Sequence, residues 1–315
     1  MTTTVKCPNC GNSIHKILKT FQYESIMQCD KCTLVVKSNF ICSRNKIQIL
    51  QDDEYYDPYA RARSKINFKM AKDRVDMLKA YISSGRLLEI GSATGEFLEA
   101  AVKQGFVVLG VDASRQYCEY TTEKGLNIKC GRLEDINVDK KSFDVIAVFH
   151  LIEHIEEPLA FLNLIYGYLK DGGVLFIVTP NVDSFTNKIF GYNHPVFTQR
   201  DHLLFYSKQT LSGLLEKANY KVVALFSKEY SHHFFTSLLG VVKNYIKDKL
   251  PYAKKSSCES SVANKNRRGI KEHIKYVVNE IPYACGFVLC PLLKIYGKAV
   301  DVYTRGHELI VIAKK

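Results

Sequence analysis

The four cysteines nearest the amino terminus have the spacing of metal ligands. Cys7 and Cys10 form one Cys-x-x-Cys pair, and after 18 intervening residues Cys29 and Cys32 form a second. Two pairs at this separation match the pattern of zinc sites, and four thiolates complete the tetrahedral coordination that Zn²⁺ prefers. Because such a site has no open position, the sequence predicts a structural zinc. A catalytic zinc and a redox pair are the alternatives.

A second segment with chemical potential runs from Glu89 through Gly91 to Gly95. Glycines let the backbone turn sharply and approach a ligand closely, and the amino terminus of a following helix offers unpaired N–H groups to a carboxylate. A dinucleotide-binding fingerprint needs two further glycines, where this chain has Ala93 and Glu96. The segment therefore argues against NAD.

The elements that must position this segment alternate between strands and helices. Short apolar runs predict strands, and stretches of helical periodicity lie between them. The predicted strands are 86–90, 107–111, a short one near 128, 143–149, 174–179, 221–226 and 308–313. The predicted helices are 64–82, one ending near 104, 115–124, 158–169 and 210–218. This alternation predicts an α/β, Rossmann-like, seven-stranded and mostly parallel sheet with helices on both faces, which binds ligands at the carboxyl ends of its strands.

Several motifs, taken in order, resemble those of class I S-adenosylmethionine-dependent methyltransferases. Glu89-x-Gly91-x-x-x-Gly95, followed by Asp112 at the end of the next strand, looks like the first two motifs of that family, although Ala93 replaces a common glycine. The further motifs are Gly131-Arg-Leu-Glu-Asp135, 142–146, His150-Leu-Ile-Glu-His-Ile155, Lys170-Asp-Gly-Gly173 and Thr179-Pro-Asn181. The resemblance covers residues 86–228, nearly half of the chain.

The resemblance implies S-adenosylmethionine as cofactor. The glycine loop would pass around its methionine part, and Asp112 would bond the two ribose hydroxyls, since a carboxylate accepts two hydrogen bonds at once. Leu133 and Glu134 would frame the adenine. The expected cofactor-binding residues are Glu89, Gly91, Ser92, Ala93, Gly95, Asp112, Ala113, Leu133, Glu134, Phe149 and His150.

Two histidines are the candidates for catalysis. His150 follows the strand expected beside the cofactor sulfonium, so it could accept a proton from an acceptor hydroxyl or only line the pocket. His202 lies in a segment that resembles the part of the family closing over the acceptor; the alternative is a loop histidine bonded to backbone. Glu153 and His154 could act directly, or could cap a helix and bond backbone. Alignment alone could suffice for transfer, because a sulfonium methyl is already activated.

The whole arrangement resembles bacterial methyltransferases associated with sugars and surface polysaccharides. The sequence itself predicts four parts: a separate zinc-ribbon module over 1–45, a cofactor-binding domain over 46–228, a helical insertion or cap over 229–306, and a final strand over 307–315. O-methylation of a sugar, nucleotide sugar or surface glycan is the preferred function. The alternatives are an RNA or other nucleic-acid methyltransferase, which lacks support because no NPPY-like tetrad follows the fourth strand, and a non-catalytic binding module.

Composition says less about the partners and cellular location of the protein than the motifs say about its chemistry. The net charge of +12 attracts phosphates without choosing among nucleic acid, nucleotide sugars and anionic lipids. No apolar targeting segment opens the sequence, which predicts a cytoplasmic protein. The apolar stretch 281–296 is interrupted by Pro282, Pro291 and Lys294 and is shorter than the roughly 20 residues of a membrane span. It is expected to cap the active site or to attach peripherally to the inner membrane face.

Overall fold

A computed structural model of the chain describes residues 5–22, 24–38, 64–199, 201–230, 233–234, 237–241 and 305–315. Most of the predicted insertion over 229–306, including the whole apolar stretch 281–296, lies outside these residues, so both stay predictions. Within the described part of the chain, no helix combines the length and the apolar character needed to cross a bilayer.

Strands and helices alternate from residue 64 onward, as the sequence predicts. The strands are β1 Val5–Lys6, β2 Ser13–Ile14, β3 Lys16–Thr20, β4 Ser25–Gln28, β5 Val35–Lys37, β6 Gly85–Ile90, β7 Phe106–Asp112, β8 Ile128–Cys130, β9 Phe143–Phe149, β10 Leu169–Pro180, β11 Leu204–Phe205, β12 Lys221–Lys228 and β13 Glu308–Lys314. The helices are α1 Ser64–Lys79, α2 Glu96–Lys103, α3 Arg115–Glu123, α4 Pro158–Tyr168, α5 Phe185–Phe190, α6 Pro195–Thr198 and α7 Lys208–Lys217. Short 3₁₀ turns cover Leu133–Asp135, Ile152–His154 and Gly191–Asn193.

Seven strands of the described chain form one sheet in the order β12-β13-β10-β9-β6-β7-β8. Five of them run parallel, from β8 through β7, β6 and β9 to β10. β13 is antiparallel to both β10 and β12. The predicted seven-stranded, mostly parallel sheet is confirmed. Because β6 lies between β7 and β9, the strand order reverses beside β6, and a ligand crevice is expected at the carboxyl ends of these strands.

Helices cover both faces of this sheet. On one face Val75 and Leu78 of α1 pack with Leu98 of α2, and on the other Ile165 of α4 packs with Leu214 of α7. All five side chains are fully buried. Burying each such side chain contributes about 1.5–3 kcal/mol. The two apolar layers hold the sheet rigid, and with it the strand ends that carry the polar residues.

The amino-terminal strands are joined to the rest of the molecule. β3, β4 and β5 form a four-stranded sheet with β11, in which Val35 pairs with Phe205 and Val36 with Leu204. The buried Leu34 belongs to the same apolar cluster as α4 and α7. This finding differs from the expectation of a separate ribbon module: the ribbon shares both a sheet and a core with the predicted catalytic unit. The boundary near residue 45 stays a prediction, because 39–63 lie outside the described residues.

Candidate active site

A cavity of about 1740 Å³ opens at the carboxyl ends of β6, β7 and β9. Pockets for one small ligand commonly hold roughly 300–1,000 Å³, so this cavity has room for two molecules. One end, here called the glycine-loop end, is lined by residues 89–94, 112–114 and 131–134. The other, the histidine end, is lined by His150, His154, His194, His202, His233 and His307. The two ends differ in how they are built.

The glycine-loop end is shaped by a tight turn between β6 and α2. Gly91, Ala93 and Gly95 all have positive φ, of 76°, 43° and 77°. A Cβ on Gly95 would lie 2.9 Å from side-chain atoms of both Leu126 and Thr121, so no larger residue fits there without a shift. Ala93 adopts the left-handed conformation with a side chain, which costs about 1–2 kcal/mol. The turn brings the backbone against the cavity at the amino end of α2.

Asp112, the last residue of β7, ties this turn to the next strand. Its Oδ2 accepts a hydrogen bond from the Ala93 N–H at 2.8 Å, and its Oδ1 accepts one from the Ser114 N–H at 2.9 Å. Burial raises the pKa of the Asp112 carboxyl. Since each carboxylate oxygen can accept two hydrogen bonds, Asp112 can hold the loop and still accept two hydroxyls from a ligand.

Glu89 has a buried carboxylate oxygen that needs a donor. Its Oε2 has no hydrogen-bond partner within the described structure, although only 4% of the residue is exposed. Burial raises the pKa of Glu89 well above its usual range. Buried polar atoms are nearly always paired, so a ligand that carries an ammonium or hydroxyl group would complete this site. Glu89 lines the same cavity as Asp112.

The residues predicted to contact a cofactor come together at this cavity. All of them line it except Gly95, which lies behind the turn and acts through its backbone conformation. Leu133 is buried in a 3₁₀ turn, and Glu134 beside it is exposed at the cavity rim. The placement agrees with the expected roles, which stay predictions for each residue.

His150 stands at the start of the histidine end in a strained conformation, with φ of 49°. Its Nε2 lies 3.0 Å from Oε1 of Glu308, and its Nδ1 lies 3.6 Å from Oε1 of Glu153. Burial would lower the pKa of His150, but the carboxylates of Glu153 and Glu308 outweigh it and raise the pKa to about 9. A raised pKa favours the protonated imidazole, which is a poor proton acceptor, so this pairing weighs against a general base. The catalytic role of His150 stays a prediction. His150 does line the cavity, as its alternative reading predicts.

An ion pair missed by the sequence analysis supports His150. The Arg74 Nη2 donates to both carboxylate oxygens of Glu308, at 3.0 and 3.1 Å, and the guanidinium lies over the Phe149 ring at 4.9 Å. Both partners are buried. The sequence offers two signs of this pair: Arg74 is a charge on the apolar face of α1, and Glu308 is an acidic residue at the start of the apolar strand β13. Neither signal says that two residues 234 positions apart will meet.

His202 and His154 are oriented by backbone carbonyls. The Nδ1 of His202 lies 3.0 Å from the Val196 carbonyl, and that of His154 lies 2.8 Å from the Asp201 carbonyl. Because a carbonyl oxygen only accepts, each Nδ1 is the donor. Burial lowers the pKa of His202 to about 4, so its imidazole is neutral. His202 therefore bonds backbone, as one reading predicts, and it also lines the cavity; its contact with an acceptor stays a prediction.

Three further histidines complete this end as neutral polar groups. Burial lowers the pKa of His194 to about 2 and those of His233 and His307 to about 4. The His194 Nε2 lies 2.8 Å from the Ser237 hydroxyl. The rings of His233 and His307 are 4.4 Å apart. These residues were not predicted to act in the site, since single histidines in loops carry no spacing signal.

The four ribbon cysteines converge as predicted. Their sulfur atoms lie within 4.8 Å of one another, with Cys7 and Cys32 at 3.4 Å and Cys10 and Cys29 at 3.5 Å. Each Cys-x-x-Cys turn contains the same backbone hydrogen bond: the Gly11 N–H donates to the Cys7 carbonyl, and the Thr33 N–H donates to the Cys29 carbonyl. Sulfur atoms at this separation fit one ion at about 2.3 Å from each. The donor set suits zinc, whose presence stays a prediction.

Comparisons with known proteins match this architecture. Residues 59–225, more than half of the chain, fit the model of a family described as a methyltransferase domain. An uncharacterised protein from Methanocaldococcus jannaschii is 29% identical over 138 residues, which are 43% of this chain and 65% of the relative. A ubiquinone biosynthesis O-methyltransferase from Parvibaculum lavamentivorans is 34% identical over 102 residues, which are 30% of this chain and 40% of the relative. The chain thus spans less than two thirds of the length of these curated relatives.

Solved structures share the fold. A SAM-dependent methyltransferase from Archaeoglobus fulgidus superposes with a TM-score of 0.51 at 19% identity, over 82% of this chain and 100% of that one. A SAM-dependent methyltransferase from Thermotoga maritima gives 0.53 at 17% identity, over 85% and 98%. The sheet order, the glycine turn and the family match agree with one another. The chain belongs to the family described as a methyltransferase domain, and it shares the fold of these two SAM-dependent methyltransferases.

Proposed function

We propose that this protein transfers the methyl group of S-adenosylmethionine to a hydroxyl oxygen of a sugar, a nucleotide sugar or a surface glycan. The observation that carries the proposal is a single cavity with two unlike ends. The glycine-loop end has the carboxylates and backbone turn that suit the cofactor. The histidine end presents neutral imidazoles and charged side chains that suit an acceptor rich in hydroxyl groups.

At the glycine-loop end, the residues fit the cofactor group by group. The unpartnered Oε2 of Glu89 would accept a hydrogen bond from the methionine ammonium, and Asp112 would accept both ribose hydroxyls. Leu133 would pack on the adenine, with Glu134 at the rim. S-adenosylmethionine brings an activated methyl group on a sulfonium. The chain itself has to bind the two molecules in line, and orientation of this kind removes about 7–11 kcal/mol of barrier in model reactions.

At the histidine end, the chemistry of the lining supports an oxygen acceptor with several polar groups. A pocket built to hydrogen-bond a substrate rejects analogues that lack those groups, because its own polar atoms would be left unpaired. The relative from Parvibaculum lavamentivorans is named as an O-methyltransferase, which favours oxygen as the methylated atom. The net charge of +12 favours an acceptor that carries phosphate, such as a nucleotide sugar.

The test is a methyl-transfer assay with labelled S-adenosylmethionine and four acceptor classes: nucleotide sugars, polysaccharide fragments, a quinol and RNA. We expect label in the sugar classes alone. Asp112→Ala should abolish that signal, whereas Asp139→Ala, which removes an exposed carboxylate elsewhere, should keep it. Label that enters only RNA or only the quinol would contradict the proposed acceptor.

We also propose that the cysteine cluster holds one structural zinc ion. The four sulfurs leave no position open for substrate, and the cluster lies in the ribbon rather than on the cavity lining. Metal analysis of the purified chain should find tightly held zinc, and Cys7→Ser should hold one zinc ion fewer per molecule. Unchanged metal content in that variant would contradict the assignment.

A further inference from the structure

We infer that Glu153, His154 and His202 form a second metal site, which takes one divalent transition-metal ion and presents it to the acceptor. This inference rests on the proposed methyl transfer to a hydroxyl. The carboxylate oxygen and the two imidazole nitrogens lie within 4.8 Å of one another, and all three residues are buried. His154 and His202 line the histidine end of the cavity.

The backbone brings these three residues together from two segments. Glu153 and His154 belong to the 3₁₀ turn Ile152–His154, directly after β9, and His202 precedes β11. The Leu203 N–H donates to the Glu153 carbonyl at 2.9 Å, which joins the two segments beside the site. The arrangement therefore depends on main-chain contacts as well as on the side chains.

The two histidines are held as metal-binding histidines usually are. In each, Nδ1 donates to a backbone carbonyl, of Asp201 for His154 and of Val196 for His202. This places the lone pair on Nε2 and fixes the plane of the ring. Partners of this kind set the tautomer and orientation of metal ligands in known sites.

Glu153 supplies an independent observation, a buried carboxylate oxygen without a hydrogen bond. Its Oε2 accepts a hydrogen bond from the Thr179 hydroxyl at 2.9 Å. Its Oε1 has no hydrogen-bond partner in the described chain, although the side chain is only 1% exposed. The His150 Nδ1 lies 3.6 Å away. A buried carboxylate oxygen of this kind is costly unless a cation or donor meets it.

The ligand set indicates the ion and its task. Imidazole nitrogens favour Zn²⁺, Co²⁺ and related ions over Mg²⁺ and Ca²⁺, which prefer oxygen. Two histidines and one carboxylate are a ligand set of catalytic zinc sites, where a fourth position stays open for water or substrate. Here the open position would face the cavity. This site thus differs from the closed cysteine cluster.

An ion at this position would activate the acceptor hydroxyl. Binding of the hydroxyl oxygen to the ion lowers its pKa, and its proton leaves to water in the cavity. The oxygen then attacks the methyl carbon and an O–CH₃ bond forms. The methyl–sulfur bond breaks, and its electron pair stays on sulfur, giving S-adenosylhomocysteine. The ion is unchanged at the end of the step.

Cobalt titration of the full chain tests this site without substrate or S-adenosylmethionine, once the cysteine-held zinc has been exchanged for Co²⁺ so that the ribbon keeps a metal ion. We expect two Co²⁺ ions per wild-type molecule: one with intense thiolate charge-transfer absorption, and one with weak d–d bands only. His202→Gln should weaken the second ion at least about tenfold, as loss of a ligand does, and keep the first. Glu153→Gln should do the same. His194→Gln changes another buried histidine of the cavity and should keep both ions.

The outcomes separate this inference from the proposed function. A wild-type chain that binds only the thiolate-held ion overturns the second site, whatever the variants do. So does His202→Gln or Glu153→Gln protein that binds both ions normally. Two cobalt ions in the wild type and one in both variants support the site, even if the labelled assay finds no sugar acceptor. A labelled assay without a sugar acceptor would overturn only the proposed function.

Discussion

The two ends of the cavity are built in opposite ways. The glycine-loop end comes from one stretch of chain, residues 89–134, and its first turn is joined to β7 by Asp112. The histidine end is assembled from α1, the turn after β9, the segment before β11, and β13. The glycine-loop end can therefore keep its structure when the residues of the histidine end change. The proposed cofactor site therefore depends on one continuous segment of the chain, whereas the proposed acceptor site depends on contacts between distant segments.

Among the described residues, the ribbon forms hydrogen bonds at only one of these ends, the histidine end. The Lys37 N–H at the end of β5 donates to the Leu203 carbonyl at 3.0 Å, next to His202. The Lys37 ammonium, buried, pairs with Glu24 at 3.1 Å and donates to the Gln199 carbonyl. Gln199 and His202 both line the cavity. The ribbon therefore supports the wall at the histidine end, and the glycine-loop end has no such contact among the described residues.

The largest expected effect comes from removing the ribbon metal with Cys7→Ser and Cys29→Ser together. Metal binding contributes about 10–16 kcal/mol to folding of isolated zinc fingers, so the ribbon should unfold. Hydrogen exchange should then speed up over residues 201–206, which lose their pairing with β5, while residues 89–95 stay protected. Cys130→Ser, which changes an exposed thiol, is the control. Unchanged protection over 201–206 in metal-free protein would show that the two regions are independent.

The next effect concerns the ion pair at the histidine end. Arg74→Met removes the guanidinium that bonds both Glu308 oxygens and leaves His150 beside that buried carboxylate. Breaking a buried pair costs about 3–5 kcal/mol of unfolding free energy. Adding Glu308→Met should recover most of that loss, because the buried charge is then gone. Urea unfolding of the single and double variants measures both values. A double variant less stable than Arg74→Met would argue against this account.

The same pair predicts how stability changes in acid. Burial would raise the pKa of Glu308, but Arg74 and His150 hold it well below its usual 4.5. The folded protein therefore binds fewer protons than the unfolded chain, so this stabilisation is complete above about pH 4.5 and is lost as the pH falls towards the depressed pKa. Glu308→Gln should lose stability less steeply below that pH. Equal slopes for the two proteins would be the opposite result.

These effects also show what could be read from the sequence. The β6 turn, Asp112 and the cysteine pairs follow local spacing rules, and the structure places them as expected. The Arg74–Glu308 pair forms only when β13 inserts between β10 and β12, so no local pattern announces it. The pKa of His150 depends on that same distant Glu308 as well as on Glu153, so the sequence around His150 could not show that its pKa is raised.

A smaller effect is expected at the glycine-loop end. Gly95→Ala puts a methyl group 2.9 Å from Leu126 and Thr121 in a left-handed conformation, so the turn must shift. We expect about tenfold weaker cofactor binding, equivalent to about 1.4 kcal/mol. Gly105→Ala is the matched control, since φ there is also positive, at 90°, but no atom lies within 4 Å. Equal losses of cofactor affinity in both variants would mean that the crowding at Gly95 is irrelevant.

The smallest effect should be a gain. Ala93→Gly removes the strain of a side chain at φ of 43°. Part of that gain is offset by the greater freedom of glycine in the unfolded chain, leaving up to about 1 kcal/mol of added stability. Thermal unfolding measures it, and cobalt binding at the histidine end should not change. A loss of stability would show that the alanine methyl group makes a contact that outweighs the strain.

The most direct test of the account is calorimetric titration of S-adenosylmethionine into the wild-type chain and Asp112→Ala, with NAD as the comparison ligand. We expect one binding event in the wild type and none with NAD. Binding to Asp112→Ala should be at least about tenfold weaker, because two charge-assisted hydrogen bonds are lost. A wild-type chain that binds no S-adenosylmethionine, or an Asp112→Ala variant that binds it equally well, would contradict the assignment of the glycine-loop end.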